Sequence, residues 1–124
     1  MEVLNSRVLL RPVDHEVSVA FYRDTLGLAV YREFPGGTVF FLGGGLLEVV
    51  GSAGSGGNTD LSLWLQVRDV TATVASLRTS GLEPLREPQR EPWGLCEAWI
   101  ADPDDNSIVL VEVPDDHPLR VDTR

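Results

Sequence analysis

The feature that most constrains this chain is an internal repeat. Asp14 stands thirteen residues before Gly27, and Asp69 stands twelve before Gly81. Each aspartate follows a short apolar run and precedes a stretch with apolar residues at helical spacing. Each glycine closes that stretch. Between the copies lies GSAGSGGN (residues 51–58), where Ala53 is the only apolar residue. Such a composition reads as a flexible connection. Repeats of this kind precede every other fold decision.

Each copy reads as strand, helix and three strands. In the first, residues 7–13 (RVLLRPV) form a strand with Val8 and Leu10 on one face and Arg7, Leu9 and Arg11 on the other. A helix follows over 15–26, with Val17, Ala20, Phe21 and Leu26 as its apolar positions. Strands are expected at 28–34, 38–42 and 46–50, joined by PGG and GGG turns. In the second copy, residues 61–67 (LSLWLQV) are a strand, and Val70, Val74, Ala75 and Leu77 mark a helix. A short strand at 82–86 precedes a proline-rich loop, EPQREPWG. Strands at 96–101 and 107–113 flank the turn DPDDN.

The fold class is therefore α+β. We expect one domain over 1–124, made of βαβββ units at 3–50 and 61–114, a linker at 51–60 and a polar tail at 115–124 that frays.

Composition narrows function mainly by exclusion. The hydrophobic fraction of 43% and charged fraction of 23% suit a globular protein. The net charge is −9 and all ten cationic residues are arginine, which disfavours nucleic acid and anionic lipid as partners. No apolar run approaches the roughly 20 residues of a membrane span. No signal peptide is evident, and the single cysteine, Cys96, forms no internal disulfide; a cytoplasmic location is expected. Phosphate-cradling, nucleophile-elbow and zinc-finger motifs are missing, so no cofactor is expected. His15 and His117 read as solvated residues, and Cys96 as a small core residue.

Two segments carry a family resemblance. SVAFYRDTLGL (18–28) resembles the first-helix signature of the glyoxalase/bleomycin-resistance/dioxygenase (vicinal oxygen chelate) superfamily. WGLCEAWIADPDDNSIVLVEV (93–113) is similar to its final hairpin, with Asp105 where that family usually has glycine in the turn. The resemblance implies that each βαβββ unit curls a mainly antiparallel sheet into a half-barrel and that two units enclose a cup for small ligands. It also implies that metal-dependent relatives bind a divalent cation through one side chain on each of four strands. Those positions map to Arg7, Glu48, Ser62 and Val109. Arginine repels a cation, valine has no donor atom and serine is a weak ligand, so no metal site is expected.

What remains is a candidate binding surface. Arg7, Arg11, Glu48, Ser62, Trp64, Gln66, Trp99 and Val109 are the expected substrate-binding residues, with Glu48 also a candidate general base. Arg7 and Glu48 read either as a substrate-orienting pair or as a plain internal ion pair. Trp93, in the proline-rich loop, suits a lid or a dimer contact. The leading expectation is metal-independent binding of a small aromatic or cationic compound by a homodimer. The alternatives are a lyase, isomerase or dioxygenase using Glu48, and a structural subunit without a ligand.

Overall fold

The computed structural model describes residues 2, 4, 5, 7–52 and 62–117. The expected linker at 51–60 lies mostly outside them, as does the tail beyond His117. Chain contacts divide the protein into two units, Met1–Asn58 with Pro103–Asp105, and Thr59–Asp102 with Asn106–Arg124.

In the first unit β1 (Arg7–Leu10) leads to α1 (His15–Ala20), then a π-helical turn, Phe21–Thr25. Three strands follow: β2 (Val30–Phe34), β3 (Gly37–Leu42) and β4 (Gly45–Val50). The sheet order is β1-β4-β3-β2. β1 runs parallel to β4, and the other two pairings are antiparallel. The second unit repeats this with β5 (Ser62–Gln66), α2 (Val70–Thr79), β6 (Arg86–Arg90), β7 (Cys96–Ala101) and β8 (Ser107–Glu112). Its order is β5-β8-β7-β6, again with only the first pairing parallel. Two open, mixed four-stranded sheets with one helical segment apiece make the α+β fold.

Both helices start as their aspartates dictate. Asp14 Oδ1 accepts from Val17 N at 3.1 Å, and Asp69 Oδ1 from Ala72 N at 3.0 Å. The α2 start has a second carboxylate, since Val70 N donates to Glu112 Oε1 at 2.9 Å. Carboxylates at a helix N-terminus satisfy free backbone donors and meet the positive end of its dipole. The first helix is not α-helical to Leu26 as expected. It widens at Phe21, where Leu26 N donates to Phe21 O at 2.9 Å. Within that turn the adjacent Phe21 and Tyr22 are both buried, edge to face at 5.1 Å, and Tyr22 meets Phe40 at 6.2 Å.

Each unit's core lies between helix and sheet. Leu47, Val49 and Phe40 are buried on the first sheet, and Leu63, Ala98, Ile100, Ile108 and Leu110 on the second. Val70, Val74 and Leu77 are the buried stripe of α2. Alternation along each strand sends the intervening side chains to the opposite, helix-free face.

One expectation needs correction. The strand expected at 82–86 is instead β6, inside the proline-rich segment. Pro88 lacks an N–H, but β6 is an edge strand and its register shifts between Arg86 and Gln89, where a proline is tolerated. Of the stretch before it, Leu85 N still donates to Trp99 O at 2.7 Å. Of the tail expected at 115–124, residues 115–117 are described, with His117 N donating to Pro114 O at 3.0 Å, and the rest lies outside the described residues.

Asp105 takes φ 62°, the left-handed conformation that glycine adopts most readily and aspartate tolerates. The turn around it is fixed by Asp102, whose two carboxylate oxygens accept from the Asn106 backbone and side-chain amides, both at 2.8 Å.

Candidate functional site

The helix-free face of each sheet carries the polar and aromatic residues. On the first, Arg7 and Leu9 of β1 pair with Leu46 and Glu48 of β4 and share their face. Arg7 Nη1 donates to Glu48 Oε1 at 2.7 Å, and the two side chains are 31% and 13% exposed. The family resemblance maps both residues to its ligand positions, and here their side chains form an ion pair. Farther along the face, Tyr31 and Phe41 meet edge to face at 5.2 Å, both about half exposed. Arg11 lies beyond the end of β1 and is exposed, so the strand alternation expected for it stops at Leu10.

On the second sheet, register places Trp64, Val109, Trp99 and Arg86 in one row across four strands. Trp64 is 50% and Trp99 40% exposed, and Val109 between them is half-buried. Neither indole packs beneath α2. Ser62 and Gln66 flank Trp64 on the same face of β5, and both are exposed. Two residues further along β8, on the same face, Val111 is fully buried because Leu95 and Val113 cluster on it. The face is thus covered at its Val111 end and open along the tryptophan row.

The covering loop contains a network that the motifs did not indicate. Arg86 stacks its guanidinium 3.9 Å from the Trp99 ring centroid and pairs with the buried Glu91 through Nη2. The same nitrogen reaches Glu97 O at 3.4 Å. Trp93 Nε1 donates to Glu97 Oε2 at 2.9 Å. Glu97 alternates with Trp99 along β7, so its face follows from the sequence once Trp99 is placed; its burial depends on the loop and does not.

The histidines are not simply solvated. His15 Nδ1 lies 3.0 Å from Gly51 O, and His117 Nε2 lies 3.1 Å from Trp93 O. Gly94 (φ 94°) sits so close that a β-carbon there would approach the His117 ring to 3.2 Å. Cys96 is half-buried, not a core residue. It lies between Arg90 and Glu112 in register, on the helix-bearing side, in an open groove of about 440 Å³ beside the start of α2.

A metal centre does not suit these residues. Of the four positions that the resemblance implies, Arg7 already occupies Glu48 and Val109 offers no donor. Among the described residues, no group of three or more His, Cys, Asp or Glu side chains is arranged to hold an ion.

The family model for the Glyoxalase/Bleomycin resistance protein/Dioxygenase superfamily matches residues 6–110. The chain belongs to this superfamily. Solved superfamily-type structures share its fold. A glyoxalase/bleomycin resistance protein/dioxygenase from Nocardioides is 18% identical, with a TM-score of 0.78 over 95% of this chain and 89% of that one. A superfamily member from Sphaerobacter thermophilus is 25% identical, with a TM-score of 0.72 over 90% and 98%. A lactoylglutathione lyase from Agrobacterium tumefaciens is 22% identical, with a TM-score of 0.69 over 86% and 90%. No curated protein matches the chain. The superfamily thus accounts for the paired βαβββ units. Among the described residues, no helix is long and apolar enough to cross a membrane.

Proposed function

We propose that this protein binds and sequesters a small organic compound, aromatic or cationic, without a metal ion. The observation that carries the reading is the row Trp64–Val109–Trp99, an apolar floor between two half-exposed indoles on the helix-free face of the second sheet. Aromatic walls with a few polar groups beside them suit a small organic molecule. Ser62 and Gln66 supply hydrogen-bonding groups next to Trp64. On the first unit, Arg7 and Glu48 form the polar element of the open face, with Arg11 beyond the strand end. The Arg7–Glu48 pair supports metal independence, because the carboxylate left at a family ligand position already has a cation.

The protein is proposed to act in the cytoplasm as a homodimer. Leu9, Phe41, Tyr31 and Val30 of the first unit, all between 37% and 50% exposed, support a covering partner. Titration with quinoline, followed by calorimetry and indole fluorescence, tests the binding reading. Binding should be saturable, and Trp64→Ala should weaken it by about 1–3 kcal/mol, the scale of losing one well-packed aromatic contact. Unchanged affinity in the variant would place the ligand elsewhere.

A further inference from the structure

In the second unit the Arg86 guanidinium pairs with only one of two neighbouring buried carboxylates. Glu91 and Glu97 are 7% and 8% exposed, and Arg86 forms its ion pair with Glu91. Glu97 receives a hydrogen bond at 2.9 Å from the neutral indole N–H of Trp93. Among the described residues, no cation lies within ion-pair distance of its carboxylate. A glutamine carbonyl would also accept that indole proton, less strongly than a carboxylate, and would carry no charge to desolvate. The local structure therefore leaves one buried negative charge without a counter-ion.

Glu97 also borders the open tryptophan row. It shares the helix-free face of β7 with Trp99, at the covered end of that face, level with Val111 and Gln66. β5 and β7 are separated by one strand, so their side chains stand roughly 10 Å apart across Val109. That is room for one flat ring between the half-exposed indoles. Arg86 covers one face of Trp99, leaving the other to the ligand. Indole faces and an unpaired carboxylate both attract a cation. Glu48 differs in kind, because a ligand cation there must first displace Arg7 at 2.7 Å.

We propose that Glu97 is the counter-ion for a planar aromatic cation, such as a pyridinium, a quinolinium or an aryl amidine, whose ring lies over Val109 between Trp64 and Trp99. This rests on the reading above that the second open face holds a small organic ligand, and it names the ligand's charge and its anchor.

Calorimetric titrations of the intact protein with N-methylquinolinium and with neutral quinoline test it. The wild-type protein should prefer the cation by about tenfold or more. Glu97→Gln should abolish that preference by weakening N-methylquinolinium alone, with thermal stability kept or raised because the amide still accepts from Trp93. Glu16→Gln, an exposed charge-matched control on α1, should retain the preference. Should Glu97→Gln not fold, Trp93→Phe keeps the carboxylate and removes its neutral donor, and the cation preference should then rise by about threefold or more. Preference unchanged in Glu97→Gln, or in Trp93→Phe where that variant is needed, overturns the proposal. Quinoline binding that depends on Trp64 but shows no cation preference overturns this proposal alone. Failure of both compounds to bind overturns it together with the reading beneath it.

Discussion

At the scale of single residues, the decisive side chain is Arg7. A divalent ion needs about three good donors, and here a guanidinium sits on the one carboxylate available. Elemental analysis of purified protein should therefore find well under one equivalent of Fe, Zn, Mn or Ni per chain. Near-stoichiometric metal that disappears in Glu48→Ala would contradict this. That Arg7 and Glu48 could meet was legible through the family resemblance, whose motif frame, counted back from Asp14 and along the GGGLLEVV hairpin, maps both to ligand positions. The Arg86–Glu91–Glu97–Trp93 network was not legible. It depends on residues 91–95 folding back onto the sheet, which Glu91 N to Leu95 O at 2.7 Å and Gly94 N to Glu91 O at 2.9 Å secure. Loop closure of that kind leaves no periodic trace.

At the scale of elements, caps and glycines were the readable punctuation, and the helix interior and the proline-rich strand were not. Asp14 and Asp69 cap where expected, but α1 gives way to a π turn that burial of Phe21 and Tyr22 accompanies. β6 formed where prolines argued against a strand, because an edge position with a register shift removes the objection. Gly37 shows how closely elements approach. The Phe34 ring lies directly over it, and a β-carbon there would collide with the ring. The caps differ in one testable respect. At α2, Glu112 holds the first helical N–H in addition to Asp69, whereas among the described residues Asp14 alone caps α1 with a side chain. Asp69→Ala should cost about 0.5–1 kcal/mol and Asp14→Ala about 1–2 kcal/mol, measured by urea denaturation. A larger loss at Asp69 would mean that Glu112 adds nothing to the helix start.

At the scale of the whole molecule, the paired units were visible in the repeat and the superfamily in the two motif segments around it, while the assembly rests on surface composition. Half-exposed Tyr31 and Phe41, with Leu9 beside the Arg7–Glu48 pair, give the first unit an apolar face that water does not favour. Light scattering at micromolar concentration should report twice the chain mass, and Phe41→Asp should shift it to one. A wild-type monomer would leave those side chains without the proposed cover.

In both sheets the first strand of a unit lies against its last, so β5 has no hydrogen-bonding neighbour until β8 exists. Translation must run from Gln66 to Glu112 in the meantime, roughly 2–9 s at about 5–20 residues per second. Through that interval the nascent chain displays SLWLQ, a strand with an indole and two leucines and no partner on either edge. Ribosome-associated chaperones should therefore bind this polypeptide most strongly after β5 has emerged and release it once β8 has, and synonymous codons that slow the ribosome between them should increase aggregation of the product.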